Sequence, residues 1–378
     1  MLISVVSPDL SHNCLGRAYV LAQLIEQNYD VEIVGPKLKG TVWEPIKDEY
    51  EYKGVETGSR VYQFPFAVPS LLDRISGDLV YVSKPRTTSY GLGLLATIGR
   101  DRPLILDIDD WETGFSYRHG RLETVLKGVP RLASMNSYYY KRFLEALSGV
   151  ADARSVSNHF LQDRFSGTLV PHAKDTEKLD PSRFEKSAVR NDLDLPAEEF
   201  LVMFVGTPQP YKGVHNLAKA VTEIGRDDVQ TVIVGAHDSE YVDKVRRLGG
   251  DSIIIRGMQP FDKIPKWIAA ADAIAIPQEN SPATWGQMPS KVFDAMAMGK
   301  PVIASDVSDL PIVLEGCGRI IKPGDVGELR ESILALYNDP ELCEELGTKA
   351  RQRCVKKYSY NALAPVVEEL VSTAYISA

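Results

Sequence analysis

The sequence predicts two doubly wound α/β domains in tandem. Short, almost continuously apolar runs alternate with segments of helical periodicity, which is typical of parallel strands covered on both faces. The alternation restarts at residue 199, after a polar, proline-bearing segment at 172–196 that we take as the linker. A length of 378 residues also suits two domains of ordinary size.

The first half contains a regular series of predicted strands and helices. Pro8 ends the first apolar run, and residues 16–27 then show the spacing of apolar side chains that a helix requires. The predicted strands of this half are "LISVVS", "DVEIVGP", "DLVYVSKP", "PLILDIDD", "DARSVSN" and "GTLVPH".

The second half repeats this rhythm from residue 199. In sheets of this kind, ligands bind beyond the carboxyl ends of the strands. We therefore expect the two domains to face each other across a cleft that the strand-end loops of both domains line. The predicted strands of this half are "EFLVMFVGTP", "VQTVIVGA", "DSIIIRG", "ADAIAIP" and "KPVIASD", with helices between them.

Composition and charge exclude several classes of function. The chain has 43 Lys and Arg against 51 Asp and Glu, and this net charge of −8 argues against nucleic acid as a partner. No apolar run is long enough to span a bilayer, and the first residues lack the basic flank and cleavage site of a signal peptide. The four cysteines form no CxxC pair, so we expect free thiols and a cytoplasmic protein.

The loop "FVGTPQPYKGV" carries the first candidate residue for binding a phosphate. It follows a predicted strand and precedes a predicted helix, Gly206 permits a tight turn, and Lys212 supplies a point charge suited to a phosphate. A solvated lysine near a helix start is an equally good interpretation. No GxxxxGK[ST] or GxGxxG motif occurs, so the sequence predicts neither an ATP-hydrolysing P-loop nor a dinucleotide site.

The stretch "GQMPSKVFDAMAMGKPVIASD", residues 286–306, carries the second candidate. Pro289 suits the first turn of a helix, and Lys291 and Asp294 share one helical face because they are three residues apart. The free amides of that turn would bind an anion, and Asp294 would accept hydrogen bonds from hydroxyl groups such as those of a ribose. The structural alternative is an ion pair on a surface helix.

Together these two segments resemble the C-terminal domain of retaining glycosyltransferases of family 4, which have the GT-B fold of two Rossmann-like domains. The resemblance implies that Asp294 holds the ribose of a nucleotide-sugar donor. It further implies that the diphosphate lies against Ser290, Lys291 and Lys212.

The sequence departs from the family pattern at two positions. Gly286 stands where the family usually has an acidic residue. Thr207 stands where most members have an arginine that contacts the donor diphosphate. The two departures leave Lys212 and Lys291 to supply positive charge, with Gly206 and Thr207 at the turn beside the donor.

The resemblance extends to the rest of the chain with less specific motifs. "NCLGRAYVLAQLIEQNYDVEIVG" resembles the family's N-terminal glycine loop and first helix, which implies that Gly16 lies near the donor phosphates or the acceptor. The segment 358–371 resembles the last helix, which in the family crosses back onto the first domain. We therefore expect an acceptor-binding domain at 1–178 that includes about 358–378, and a nucleotide-sugar-binding domain at 190–357.

The motif "DIDDWE" ends a predicted strand of the first half. In the family a histidine–aspartate pair often ends this strand beside the transferring sugar, so the resemblance implies a catalytic role for Asp109 and Asp110. Since successive strand residues point in opposite directions, we expect the two carboxylates to diverge and Asp109 to matter more. Asp107 and Asp109 also match a DxD metal motif, but three letters recur by chance and we expect no metal. Capping of the following helix is the structural alternative.

Two basic features of the first half are candidates for binding an anionic acceptor or surface. Lys84 and Arg86 follow a predicted strand, where they would hold a phosphate or carboxylate or else be surface charge. Residues 115–147 carry six Lys and Arg, two acids and interleaved aromatics. Related enzymes dock a basic N-terminal surface onto anionic membranes, so we expect either such a contact or an ordinary amphipathic helix pair.

These features predict a glycosyltransferase that moves a sugar from a UDP- or GDP-sugar donor to a hydroxyl of a glycan or lipid-linked acceptor, with retention of configuration. In the family no metal is required, and we expect no cofactor. Lys212 would also act in catalysis by stabilising the leaving diphosphate, whereas Gly257 and Met258 would meet the base. Two alternatives stay open: a nucleotide-sugar 2-epimerase of the same fold, and a catalytically silent subunit that binds sugar nucleotides.

Overall fold

The computed structural model describes residues 1–99, 101–119 and 132–378, with the backbone alone described at 118 and 119. The chain forms two compact units. One unit comprises Met1–Ala173, Trp285–Met288 and Tyr360–Ala378, and the other comprises Lys174–Thr284 and Pro289–Ser359. The basic segment 115–147 includes residues 120–131, which lie outside the described residues.

The first unit is built on a parallel sheet, in which the described residues form seven strands in the order β3-β2-β1-β4-β5-β6-β7. Its strand order reverses between β1 and β4, and crevices at such reversals are where doubly wound sheets bind ligands. The strands are β1 Leu2–Val6, β2 Asp30–Lys37, β3 Tyr52–Glu56, β4 Leu79–Ser83, β5 Leu104–Ile108, β6 Ala153–Val156 and β7 Thr168–Leu169.

Helices cover both faces of this first sheet. The last helix of the chain, Tyr360–Ser377, belongs to this unit and buries Leu363, Val367 and Leu370 in a core shared with Leu21 of the first helix. The described helices of this unit are α1 Leu15–Ile25, α2 Phe64–Arg74, α3 Leu92–Thr97, α4 Tyr138–Ala146, α5 His159–Phe165 and, at the C-terminal end, α15 Tyr360–Ser377.

The second unit has a six-stranded parallel sheet within the described residues, in the order β10-β9-β8-β11-β12-β13. Its order reverses between β8 and β11. The strands are β8 Phe200–Val205, β9 Val229–Ala236, β10 Ile253–Gly257, β11 Ala273–Ile276, β12 Val302–Ser305 and β13 Gly318–Ile321.

Helices again cover this second sheet on both faces, and the predicted fold class, two doubly wound α/β domains, is confirmed. Between strands and at the end of the unit the described helices are α6 Lys186–Asp192, α7 Val214–Ile224, α8 Glu240–Gly249, α9 Ile264–Ala270, α10 Pro282–Trp285, α11 Lys291–Ala297, α12 Leu310–Val313, α13 Val326–Asn338 and α14 Pro340–Tyr358. The last residue of α10, Trp285, lies in the first unit. Among the helices in the described ranges, none has the length and apolar character that crossing a bilayer requires.

Candidate functional site

The turn after β8 is the centre of the candidate site in the second unit. Gly206 leaves the strand with φ +124°, a conformation that L side chains rarely adopt. A β-carbon at this position would come within 2.7 Å of Lys291 Nζ. The turn lies at the carboxyl end of β8, beside the strand-order reversal, so the sheet places Gly206 and Lys291 where a ligand is expected.

Lys291 has an unusual environment for a lysine. Its Nζ is buried, forms no hydrogen bond with any of the described residues, and lies 3.8 Å from the ring centroid of Phe204. Burial is the main cause that lowers the pKa of Lys291 well below its ordinary value, and the nearby Lys212 lowers it further. Asp294 opposes the shift without reversing it.

Lys212 lies on the same turn, held by the backbone. It ends a short 3₁₀ turn, Pro210–Lys212, and its Nζ donates a hydrogen bond to the carbonyl of Thr207 at 2.8 Å. Gly213 follows with φ +66°, and a β-carbon there would collide with the carbonyl of Pro277. The glycine therefore fixes the path by which the chain enters α7 and keeps Lys212 beside the Gly206–Thr207 turn.

The acid predicted to bind ribose, Asp294, is held by a residue that the sequence analysis did not select. Lys174 Nζ forms an ion pair with Asp294 at 2.6 Å and donates a hydrogen bond to Ser290 Oγ at 2.8 Å. Lys174 is distant in sequence and lies where the linker was predicted, so no local motif marks it. The structure thus brings Ser290 and Asp294 together through Lys174, one helical turn from Lys291.

The two residues predicted to meet the base lie on another strand of the same sheet. Gly257 ends β10 and Met258 follows it, with 58% of the methionine exposed. Strand β9 separates β10 from β8 in the sheet. Gly257 and Met258 thus share the carboxyl edge with the lysine cluster but are two strands from Gly206.

In the first unit, Lys84 occupies a strained position at the end of β4. Its φ of 69° lies in the left-handed region, which costs a non-glycine residue about 1–3 kcal/mol. The amide of Lys84 donates to the carbonyl of Asp107 at 2.8 Å, and Ser89 Oγ donates to the carbonyl of Lys84 at 2.7 Å. These bonds turn the Lys84 side chain towards the carboxylates that follow β5.

Asp109 and Asp110 both contact this lysine. Lys84 Nζ lies 2.7 Å from Asp109 Oδ1 and forms a close ion pair with Asp110 Oδ2. The expectation that the two carboxylates diverge is therefore wrong, because β5 ends at Ile108 and the alternation of strand side chains no longer applies. Asp110 is the more exposed of the two, with 20% of its side chain accessible against 6% for Asp109.

The electrostatics of this cluster set Asp110 apart. Burial raises the pKa of Asp110 to about 6, and the negative charges of Asp109 and Glu112 add to the shift, while Lys84 opposes it. Burial also disfavours the charged form of Glu112, but Arg86, Lys141 and Lys84 outweigh it and hold the pKa of Glu112 well below its ordinary value. Asp110 is thus a carboxyl group that changes charge near pH 6.

Arg86, predicted to hold an anionic acceptor, is paired internally. Its guanidinium binds Glu112 at 2.7–2.8 Å, and Lys141 reaches the second oxygen of Glu112 at 3.2 Å. Lys84 and Arg86 are therefore paired with neighbouring carboxylates, and these ion pairs hold the acidic side chains that follow β5 in place.

The first aspartate of the DxD motif, Asp107, has a structural role. Asp107 is fully buried, its two oxygens accept hydrogen bonds from Arg17 at 2.7 and 2.9 Å, and Oδ1 also accepts one from Ser155 at 2.6 Å. A carboxylate so engaged is not available as a metal ligand. Across the described residues, no group of three or more His, Cys, Asp or Glu is arranged to hold a metal ion.

Gly286, the departure from the family's acidic position, is explained by close packing within the first unit. A β-carbon at Gly286 would come within 2.4 Å of Trp111 Cβ, and the carbonyl of Gly286 accepts a hydrogen bond from the Trp111 amide at 3.1 Å. The neighbouring Trp285 stacks on Trp111 with ring centroids 6.3 Å apart. No side chain fits at Gly286 in this arrangement.

Gly16 lies in the first turn of α1, after the carboxyl end of β1. A β-carbon at Gly16 would have its nearest neighbour, Trp43, at 3.7 Å, which is an ordinary contact. The fold places Gly16 beside the strand-order reversal of the first sheet, where Lys84 also begins its loop.

Comparison with known proteins shows what the chain resembles. Residues 199–339 match the family described as glycosyl transferases group 1. The chain is 24% identical over 354 residues to alpha-maltose-1-phosphate synthase of Mycolicibacterium smegmatis, and this match covers 78% of this chain and 87% of that protein. It is 22% identical over 375 residues to the GDP-mannose-dependent alpha-(1-6)-phosphatidylinositol monomannoside mannosyltransferase of the same organism, covering 92% of this chain and 91% of the relative.

Solved structures agree on the fold. Sucrose-phosphate synthase from Thermosynechococcus elongatus superposes with a TM-score of 0.76 at 17% identity and full coverage of both chains. Anabaena HepE in complex with UDP-glucose gives a TM-score of 0.77 at 18% identity, covering 99% of this chain and 100% of that one. Residues 199–339 thus match the glycosyl transferases group 1 family, and the whole chain has the two-sheet architecture of GT-B glycosyltransferases.

Proposed function

We propose that this protein transfers a sugar from a nucleoside-diphosphate donor to an acceptor hydroxyl, with retention of configuration and without a metal ion. One observation carries the proposal: Lys212 and Lys291 both lie at the Gly206–Thr207 turn, at the strand-order reversal of the second sheet. Two amines beside a glycine turn suit a ligand with two adjacent phosphates.

The second unit would hold the donor. Lys212 and Lys291 would contact the diphosphate, Asp294 the ribose hydroxyls, and the segment at Gly257 and Met258 the base. Because negative charge grows on the diphosphate as the glycosidic bond breaks, fixed cations beside it stabilise the transition state more than the bound donor. Lys212 would therefore act in catalysis as well as in binding.

The first unit would bind the acceptor and contribute the side chains that assist the reaction. Asp110 presents the accessible carboxylate of the cluster, and Asp109 and Lys84 position it. A carboxylate near the reacting carbon would steady the partial positive charge of an oxocarbenium-like transition state. The commitment of Asp107 to Arg17 and Ser155 supports a reaction that does not recruit a metal through the DxD motif.

The relatives support the donor class and the kind of acceptor. The HepE structure contains UDP-glucose, and the mycobacterial mannosyltransferase is named for GDP-mannose and a phosphatidylinositol glycolipid. We propose a UDP- or GDP-sugar as donor and a glycan or lipid-linked hydroxyl as acceptor. A lipid-linked acceptor fits a protein that works at the inner face of a membrane, with the basic segment 115–147 as the contacting surface. Retention of configuration rests on the resemblance to family 4.

Turnover of sugar nucleotides tests this proposal. Purified protein is incubated with UDP-glucose or GDP-mannose and a panel of lipid and glycan acceptors, with and without EDTA, and nucleoside diphosphate and product are measured. We expect acceptor-dependent release of nucleoside diphosphate that EDTA leaves unchanged, and an equatorial anomeric proton in the product by NMR, as in the α-configured donor. Release of epimerised sugar nucleotide without acceptor would identify an epimerase instead, and binding without turnover would identify a silent subunit.

A further inference from the structure

The buried amine of Lys291 lacks the partners that would stabilise a positive charge. Its Nζ is shielded from solvent without a hydrogen-bond acceptor among the described residues. Strand β8 contributes the ring of Phe204 to its surroundings, and the turn after β8 contributes the backbone of Gly206; neither carries a formal charge.

Two charged groups lie near this amine, and neither stabilises a positive charge on it enough to offset its burial. Lys212, on the turn after β8, repels an ammonium ion at Lys291. Asp294, on the same helix, attracts it, but the carboxylate of Asp294 is already paired with Lys174 at 2.6 Å. Contact with an aromatic ring recovers only part of the cost of removing an ammonium ion from water. An uncharged amine is therefore the favoured state of Lys291 when nothing is bound.

A sugar nucleotide would change this balance. Its diphosphate carries two negative charges that do not titrate near neutral pH, and it would lie at the Gly206–Thr207 turn. An ammonium ion at Lys291 would then have the anionic partner that the protein alone does not supply. Ligand binding and protonation at the same amine are thermodynamically linked, so each favours the other.

We propose that Lys291 is an uncharged amine in the donor-free protein and that it takes up one proton from solvent when a sugar nucleotide binds. The proton forms a new N–H bond on Nζ, and the resulting ammonium ion pairs with the diphosphate. This inference rests on the proposed function, because it names how the same site recognises the donor. It makes donor affinity increase as the pH falls through the range in which the free protein leaves Lys291 unprotonated.

Isothermal titration calorimetry measures this proton directly. UDP-glucose and GDP-mannose are each titrated into the full chain at about pH 7.5 in two buffers of different ionisation enthalpy. The difference between the two apparent binding enthalpies gives the number of protons exchanged. We expect an uptake close to one proton for the sugar nucleotide that binds and close to none for the corresponding nucleoside.

Three variants separate Lys291 from its neighbours. Lys291→Arg keeps a permanent positive charge, so we expect binding without proton uptake. Lys291→Met removes the titrating group, so we expect no uptake and a loss of affinity of about tenfold or more. Lys212→Ala is the matched control, because it removes a diphosphate cation that does not take up the proton. We expect that variant to bind more weakly and still to take up a proton.

The outcomes distinguish this inference from the function on which it rests. Binding of UDP-glucose or GDP-mannose with no proton uptake would overturn the inference and leave the proposed donor class intact. Uptake that persists in Lys291→Met would assign the proton to another group and also overturn it. Failure of both sugar nucleotides to bind would overturn the proposed function and the inference together.

Discussion

At the scale of single residues, the two candidate clusters differ in whether their ionisable side chains have partners. Around Lys84 every charge has a partner, because the lysine, in a strained backbone conformation, meets Asp109 and Asp110. The amine of Lys291, by contrast, has no hydrogen-bond partner among the described residues. Protein interiors rarely keep an unpaired amine, and strained or unsatisfied groups concentrate at functional sites.

Replacing Lys291 with methionine should stabilise the free protein. The pKa of Lys291 is lowered in the native state, so the unfolded chain binds a proton that the native state does not, and stability falls as the pH drops below the ordinary lysine range. We expect Lys291→Met to raise Tm by roughly 2 °C or more at neutral pH and the gain to shrink towards about pH 10.5. Thermal unfolding across that range checks it. Lys212→Met is the control, and a lower Tm for Lys291→Met at neutral pH would contradict the burial argument.

Asp110 should give the activity an acidic limit. Its pKa is raised to about 6, so the carboxylate is lost as the pH falls through about 6. If the charged form assists turnover, kcat/KM, which reports ionisation of the free enzyme, should decline below about pH 6 and lie on a plateau above it. Asp110→Asn should lower the plateau by about a hundredfold and remove the decline. A decline of unchanged midpoint in that variant would assign the limit to another group.

The site residues that the sequence identified are those that local motifs mark. Lys212 follows a glycine turn, and Asp294 lies in the first turn of a short helix. Both features are visible in a few adjacent residues of the sequence. Lys174 was missed because it reaches Asp294 from a distant part of the chain. The directions of Asp109 and Asp110 were mispredicted because strand alternation was extended beyond the strand's last residue, Ile108.

At the scale of elements, the segment Trp285–Met288 shows how one glycine shapes a loop. The segment belongs to the first unit, although the residues on both sides of it belong to the second. Gly286 packs its backbone against Trp111, and Asp110 forms an isolated bridge with Gln287. The packing explains why the acidic residue usual in the family is absent, since a side chain would displace the segment.

Gly286→Ala should therefore disturb the first unit. The added methyl group would meet Trp111 Cβ at 2.4 Å, so the Trp285–Trp111 stack must shift, at a cost of roughly 1–3 kcal/mol. Thermal unfolding and tryptophan fluorescence detect both changes. Gly91→Ala is the matched control, because a β-carbon there would have its nearest neighbour at 4.0 Å. Equal stability of the two variants would show that the segment adapts freely.

Two strands escaped the sequence analysis, and both lie at sheet edges. Strand β3, Tyr52–Glu56, and strand β13, Gly318–Ile321, are only partly buried, with polar and charged residues among the apolar ones. The central strand β8 is, by contrast, buried from Leu201 to Val205 and was predicted from its unbroken apolar run. Apolar runs reveal strands covered on both faces, and these two edge strands lack such a run.

At the scale of the whole molecule, each unit has its own apolar core and its own strand-order reversal with polar residues beside it. The first unit collects carboxylates after β5, and the second collects amines after β8. Restarted strand–helix alternation was sufficient to predict this division, because it depends on the pattern of apolar residues alone. The ion pairs within each cluster depend on side-chain geometry, which that pattern does not specify.

The central claim is that the amines at the Gly206–Thr207 turn bind a diphosphate. The most direct test compares the affinities of Lys212→Ala and the unmodified protein for UDP and GDP and for the corresponding nucleosides. Loss of one charged contact should cost about 2 kcal/mol, or roughly thirtyfold in Kd, for the nucleoside diphosphate that binds, and leave nucleoside affinity nearly unchanged. An equal loss for nucleoside and diphosphate would contradict the claim, because Lys212 would then support only the fold of the turn.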